Sequence, residues 1–151
     1  MIVESIFEYQ APIPLKYTCQ GENISPPLKF SAVPKNTKSL VLFVDDPDAP
    51  GGTFDHWIVW NIPPNTTKLS EGATELFVEG SQVKEGTNGF GDSNYGGPCP
   101  PPGRSHRYFF KLFALDSILD LEAGSLKHSV EIAMDGHVLE RAEWMGTYQK
   151  S

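Results

Sequence analysis

The stretch "SLVLFVDDPDAPGGTFDHWIVWNI", residues 39–62, reads as two strands joined by one stiff turn. Its first part is a nearly unbroken apolar run that ends in carboxylates. Its second part is rich in aromatic and β-branched residues, the composition that suits a pleated, buried surface. Between them, Pro47 and Pro50 fix their own φ and hold Asp46 and Ala49 extended, so the chain leaves the first strand along a set path. A turn of this kind admits a cis bond at one of the two prolines.

Working outward, "IVESIF" (2–7), "LKF" (28–30), "ELFVEG" (75–80) and "HRYFFKLFALD" (106–116) carry the same strand composition. The 14 glycines and 13 prolines fall between these runs and punctuate them. Short strands separated by turn signals favour a β-sandwich or barrel over alternating βαβ units. The loop from Gly86 to Ser105 is longer than structureless connections usually are, which is the profile of a functional loop. Near the end, "SLKHSVEIAMDGHVLERAEWMG" places Leu126, Val130, Ala133, Val138, Ala142 and Met145 at helical spacing. Ser125 serves as N-cap and Gly146 as stop, with Asp135-Gly136 dividing the segment into two helices.

The chain has 151 residues, 39% of them apolar and 11% aromatic, which suits a single domain over residues 1–151. Against 12 Lys and Arg stand 19 Asp and Glu, so the net charge of -7 repels phosphate backbones and argues against nucleic acid as a partner. The amino-terminal stretch has no basic n-region and no small-residue cleavage pattern. No later run reaches the length of a transmembrane segment, so a cytoplasmic protein is expected. Cys19 and Cys99 are too few for a disulfide framework and lack metal-type spacing. Asn23 and Asn65 fit the glycosylation pattern but are read as turn residues.

Three segments hold the chemically unusual residues: "DDPDAP", "FDHWIVWN" and "YGGPCPPPGRSHRY". In an antiparallel sheet the end of one strand meets the start of its neighbour, so Asp46 can stand beside His56 and His106. Period two puts His106 and Tyr108 on one face with Phe110 and Leu112, and His56 on the face of Ile58 and Trp60. Gly96 and Gly97 permit close backbone approach, while the prolines stiffen the walls. A Cys99 nucleophile is weakened because neither Pro98 nor Pro100 has an N–H for an oxyanion. A metal set of Asp46, Asp48, His56 and His106 has suitable donors without a diagnostic spacing. His128 and His137 are assigned to a helix surface.

Taken together and in order, "DPDAP", "HWIVWNIP" and "YGGPCPPPGRSHRYFFKLFALD" resemble the phosphatidylethanolamine-binding protein family, in its compact bacterial and archaeal Raf kinase inhibitor-like branch. "KYTCQGENISPPLKF" and "AMDGHVLERAEWMGTYQ" extend the likeness over nearly the whole chain. The resemblance implies a mainly β, antiparallel Greek-key β-sandwich with a few short helices. It also implies a small pocket for phosphate-bearing or carboxylate groups, such as phosphoethanolamine or acetate. Carried over by position, the ligand-binding residues are Asp46, Ala49, Pro50, His56, His106 and Tyr108, with Gly96, Pro98 and Pro100 in the closing loop. No catalytic residue, metal or cofactor is implied. The expected partners are a small anion and a kinase or protease, and some prokaryotic relatives are homodimers. His56, His106 and Tyr108 are expected to donate to the anion, with Asp46 orienting a histidine from behind. The competing reading is a hydrolase or metal-dependent enzyme that uses His56, His106 and an Asp.

Overall fold

The computed structural model describes residues 1–151. Eight strands and one α-helix follow in the order β1 (Ile2–Ser5), β2 (Leu28–Ser31), β3 (Ser39–Asp46), β4 (Phe54–Ile62), β5 (Lys68–Leu69), β6 (Lys84–Glu85), β7 (His106–Leu115), α1 (Lys127–Met134) and β8 (Val138–Tyr148). All strand pairing is antiparallel: a small sheet β1-β2-β5 faces a larger one, β6-β4-β3-β7-β8. From β6 at one edge the chain crosses to β7 on the far side of β3, the non-local return of a Greek-key sandwich.

The apolar run of residues 39–46 is β3 itself, and all eight of its residues are buried. The larger sheet is covered on both faces, which is why its central strand shows no polar alternation. One face packs Leu40, Leu42, Val44, Tyr108, Phe110 and Leu112 against Val3, Leu28, Phe30 and Leu69 of the small sheet. The other face packs Val41, Phe43, Ile58 and Trp60 under Val130 and Met134 of α1.

Two expectations are corrected. Only the first of the two late helices exists. The chain breaks at Asp135-Gly136 as expected, but β8 follows and pairs along the whole length of β7, from His106 opposite Tyr148 to Leu115 opposite Val138. Ten rungs of ladder and the docking of Ala142 and Trp144 on the core outweigh the modest helix preference of Leu, Glu, Arg and Ala. Gly146 is not a helix stop. It lies in mid-strand, where Phe7 and Ile13 press so closely that an added Cβ would come within 2.6 Å of each.

The second correction is at 75–80. Thr74–Leu76 form a single 3-10 turn, and the Ser70 N–H donates to the Glu75 carboxylate at 2.7 Å, closing the segment on itself. The two X-Pro bonds of residues 46–50 are trans, since the chain has no cis peptide.

Candidate functional site

The DPDAP turn, the start of β4, the start of β7 and the loop 86–105 meet at one end of the large sheet. They enclose a cavity of about 210 Å³ lined by Asp46, Ala49, Pro50, Phe54, His56, Phe90, Cys99, Pro100, Pro101, His106 and Tyr108. Of the nine residues named from the sequence, seven line it. Gly96 and Pro98 do not, and act instead through their backbones.

Asp46 ends β3. Its Oδ1 accepts the Asp48 N–H at 2.8 Å, the Asx-type bond that a DPD turn invites, and its Oδ2 accepts from His106 Nδ1 at 2.7 Å. Both side chains of the pair are only 4% exposed. With Nδ1 carrying the proton toward the carboxylate, Nε2 is the ring nitrogen of His106 left for the cavity. His56 is fixed in the same sense, its Nδ1–H donating to the Gly96 carbonyl at 2.6 Å while the Gly96 N–H donates back to the His56 carbonyl at 3.0 Å. The rings of Phe54, Phe90 and Tyr108 surround it at centroid distances of 4.8, 5.6 and 5.2 Å.

His56 reaches this cavity against the period-two expectation. The register between β3 and β4 passes from Val44 opposite Trp57 to Asp45 opposite Asp55, so His56 is the extra residue of a β-bulge. The bulge turns it away from the face of Ile58 and Trp60 and toward Tyr108. A second shift at Asn61, whose φ is +60°, restores Ile62 to the inner face. Its buried amide holds both the N–H and the C=O of Leu119 at 2.9 Å.

The loop 86–105 contains no strand or helix, yet it is closely tied. The Asn88 side chain receives the N–H groups of Phe90 and Asp92 and donates to the Asn94 carbonyl. The Gly97 N–H donates to Asn23 Oδ1 at 2.8 Å, and the Cys19 N–H to the Pro98 carbonyl at 3.1 Å. Asn23, with φ of +60°, is a turn residue as expected. Cys19 and Cys99 are joined in a disulfide with Cα atoms 5.4 Å apart, although two cysteines 80 residues apart gave no such signal. Cys99 is therefore no thiol nucleophile here.

A family model described as phosphatidylethanolamine-binding protein matches residues 3–149. The chain belongs to that family. It is 49% identical to a UPF0098 protein of Methanothermobacter thermautotrophicus over 144 residues, 95% of each chain. It is 47% identical to one of Pyrococcus horikoshii, covering 98% of this chain and 76% of that one. Among solved structures it is similar to a Chlamydia trachomatis protein described as a putative phosphatidylethanolamine-binding protein homolog. That match has a TM-score of 0.90 and 46% identity, and covers 99% of this chain and 97% of the other. Escherichia coli YbcL, described as a new member of the mammalian family, superposes with a TM-score of 0.88 at 32% identity over 99% and 98% of the two chains.

In this member of the family, electrostatics separate the three acids of DDPDAP. Asp45 points to the opposite face from Asp46, is buried, and meets Lys111 at 3.0 Å and Lys127 at 2.9 Å, so it is a core anchor and not a turn residue. Asp48 is a loop residue whose carboxylate takes both Nε and Nη2 of Arg107 at 2.9 Å, which holds its pKa down at about 2. With these commitments, Asp46, Asp48, His56 and His106 do not converge as a metal-ligand set. Burial lowers the His56 pKa from its ordinary value, outweighing the Gly96 carbonyl that raises it. Burial, and then the Asp46 carboxylate, push the Tyr108 phenol far above the usual range. The Tyr108 hydroxyl lies near enough to the Asp46 carboxylate to feel it, yet it is buried and makes no hydrogen bond of ordinary geometry.

His128 is exposed on α1, and His137 bonds Asp116 in the turn before β8, so neither joins the site. The sequence reading missed Phe54, Phe90 and Pro101. Phe54 had a usable signal two residues before His56, whereas Phe90 depended on how the long loop folds. No helix is long and apolar enough to cross a membrane.

Proposed function

We propose that the chain is a non-enzymatic binding protein whose cavity takes a small phosphate-bearing or carboxylate group, of the size of phosphoethanolamine or acetate. The observation that carries this reading is the hydroxyl of Tyr108, a residue that lines the cavity: a buried donor with no hydrogen-bond partner in the protein. Buried polar groups are rarely left so unless a ligand or water completes them. Beside it, the Nε2 atoms of His56 and His106 complete a three-point cradle, once protonated or met by a ligand that brings its own proton. Asp46 serves behind His106 as its orienting partner. A volume of about 210 Å³ suits a headgroup and excludes two acyl chains.

The competing enzyme reading has one observation in its favour: the His106–Asp46 pair has the form of a general base with its orienting acid. The lining, however, offers no Ser or Thr, and Cys99 is oxidised, so the pair has none of the hydroxyl or thiol partners that a triad of this form activates. Titration of phosphate, acetate and phosphoethanolamine, followed by histidine and tyrosine NMR signals, tests the binding reading. Phosphoester or acyl-ester turnover that is lost in His106→Ala would replace it with the enzyme.

As for partners, the reading takes the occupied pocket as coupled to inhibition of a kinase or protease, and allows a homodimer. Capture of such an enzyme with and without ligand, and sedimentation of the purified protein, address these points. The reading keeps the cytoplasm as the compartment expected from the sequence, although a lasting disulfide such as Cys19–Cys99 is unusual there outside hyperthermophiles. Thiol titration of protein taken directly from cells tests that placement.

A further inference from the structure

The Cys19–Cys99 disulfide lies where the loop that walls the cavity is clamped to the segment 17–23. Three hydrogen bonds share the clamp: Tyr95 hydroxyl to the Tyr17 carbonyl at 2.7 Å, Gly97 N–H to Asn23, and Cys19 N–H to the Pro98 carbonyl. There is no slack between the segments, since a Cβ on Gly97 would collide with the Tyr17 carbonyl and with Asn23. Cys99 is itself a lining residue, followed by two more, Pro100 and Pro101. Prolines cannot absorb a shift of Cys99 by bending, so they pass it to the wall.

Both cysteines are partly exposed, and both also line an open cleft beside the cavity, so a reductant can reach them. Lys150 places its ammonium 3.8 Å from Cys99 Sγ. A neighbouring cation stabilises a thiolate and makes it the better leaving group.

We propose that this disulfide is a redox-reversible site that sets the affinity of the anion cavity, high when oxidised and low when reduced. The proposal rests on the anion-binding reading above. A dithiol is the co-reactant. Its thiolate bonds to Cys19 Sγ, the Sγ–Sγ bond breaks, and the electron pair leaves on Cys99 beside Lys150. The second thiol of the reductant then attacks the mixed disulfide, freeing Cys19. The protein gains two electrons and two protons, and the dithiol becomes a cyclic disulfide. With the covalent tie gone, the loop is held to the segment 17–23 at this point only by the three hydrogen bonds, and any shift of Cys99 is passed on to Pro100 and Pro101 in the cavity wall.

The experiment is phosphate and phosphoethanolamine calorimetry on one preparation, first oxidised, then reduced with dithiothreitol, then reoxidised, with thiol counts confirming each state. The expected result is a Kd raised roughly tenfold or more on reduction and recovered on reoxidation, the scale of loss that follows when the shell supporting a binding site loosens. The Cys19→Ser/Cys99→Ser double variant should bind as the reduced protein does and ignore dithiothreitol. Lys150→Gln should slow reduction while leaving the oxidised Kd unchanged. Equal affinity in both states overturns the switch and leaves the anion site standing. If the oxidised protein binds neither anion, the anion reading falls and the switch falls with it. Loss of the fold on reduction, seen by far-UV circular dichroism, also overturns the proposal and makes the disulfide a staple only.

Discussion

Replacing Tyr108 with Phe separates the two things its hydroxyl does, because their signs are opposite. In the empty protein the hydroxyl is buried and without a hydrogen-bond partner. Leaving a polar group in that state costs about 1–3 kcal/mol. Tyr108→Phe removes the cost while keeping the ring that packs edge-on against His56. The variant should therefore be more stable by about 1 kcal/mol in anion-free buffer, a rise in Tm of about 2–4 °C for a domain of this size. Under the proposed reading the same hydroxyl donates to an anion, a bond worth about 1.5–3 kcal/mol, so phosphate affinity should fall roughly 10- to 100-fold. The two effects cross as ligand is added. At phosphate near 100 times the parent Kd, linkage adds about 2.7 kcal/mol to the parent and much less to the variant, so the order of stabilities reverses. Urea unfolding in a chloride-only buffer with and without phosphate, together with calorimetry, reads both. A variant less stable than the parent without anion, or one with unchanged phosphate affinity, refutes the assignment of Tyr108 as the waiting donor.

Burial holds the His56 pKa below its ordinary value of 6.5, so at intermediate pH the unfolded chain binds more protons than the folded one. Ligand-free stability should thus be complete above that value and decline as pH falls toward the folded value. Phosphate affinity should move the other way, rising as pH falls; calorimetry that is flat from about pH 5 to 8 would count against the histidine cradle. Asp46→Asn keeps the size but removes the charge that orients His106, and should weaken phosphate binding by about tenfold or more. If affinity is retained, Asp46 is not needed as an orienter. Gly146→Val forces side-chain atoms into Phe7 and Ile13 and should destabilise by about 1–3 kcal/mol in urea, with no change in Kd for what still folds.

What the sequence made legible was set by how local the physics is. The limits of β3 and β4 could be read from composition because both strands are buried and bounded by Pro-rich or Gly-rich turns. That Asp46, His56 and His106 can meet at one end of the sheet followed from antiparallel geometry, which did not settle the face that each takes. The errors arose where a distant partner decided the outcome. Residues 138–148 carry helix-forming side chains, and only the ten-residue ladder offered by β7 makes them a strand. The alternation of Ala142, Trp144, Gly146 and Tyr148 was the available clue. The disulfide could not be inferred because it depends on the loop around Cys99 being laid across the segment 17–23. His56 was placed on the wrong face because a bulge breaks the period on which face assignments rest.

That bulge, with the split of Asp45 from Asp46, determines which ligands the proposed site can favour. Strand alternation sends Asp45 to the face where Lys111 and Lys127 neutralise it, so no lysine remains at the cavity to balance Asp46. Asp46 is answered there only by His106, in a chain whose net charge is -7. With His106 neutral, the pair presents a net negative charge and an unprotonated Nε2, and both disfavour an anion. With a proton on Nε2, the pair is electrically neutral and offers a donor. On the proposed reading, then, binding an anion requires a proton, taken from solvent or carried in by the ligand. A phosphate monoester, with its second pKa near 6, is mostly the dianion at neutral pH but takes up that proton at a cost of only about 1.4 kcal/mol per pH unit above 6, and so can bring it into the site. A phosphodiester or sulfate has no such proton to bring, and so must pull one onto buried imidazoles, including the His56 ring whose pKa burial lowers. The proposed site therefore favours phosphoethanolamine or a phosphomonoester over the diester of an intact phospholipid, by the same geometry that leaves the Tyr108 hydroxyl without a partner.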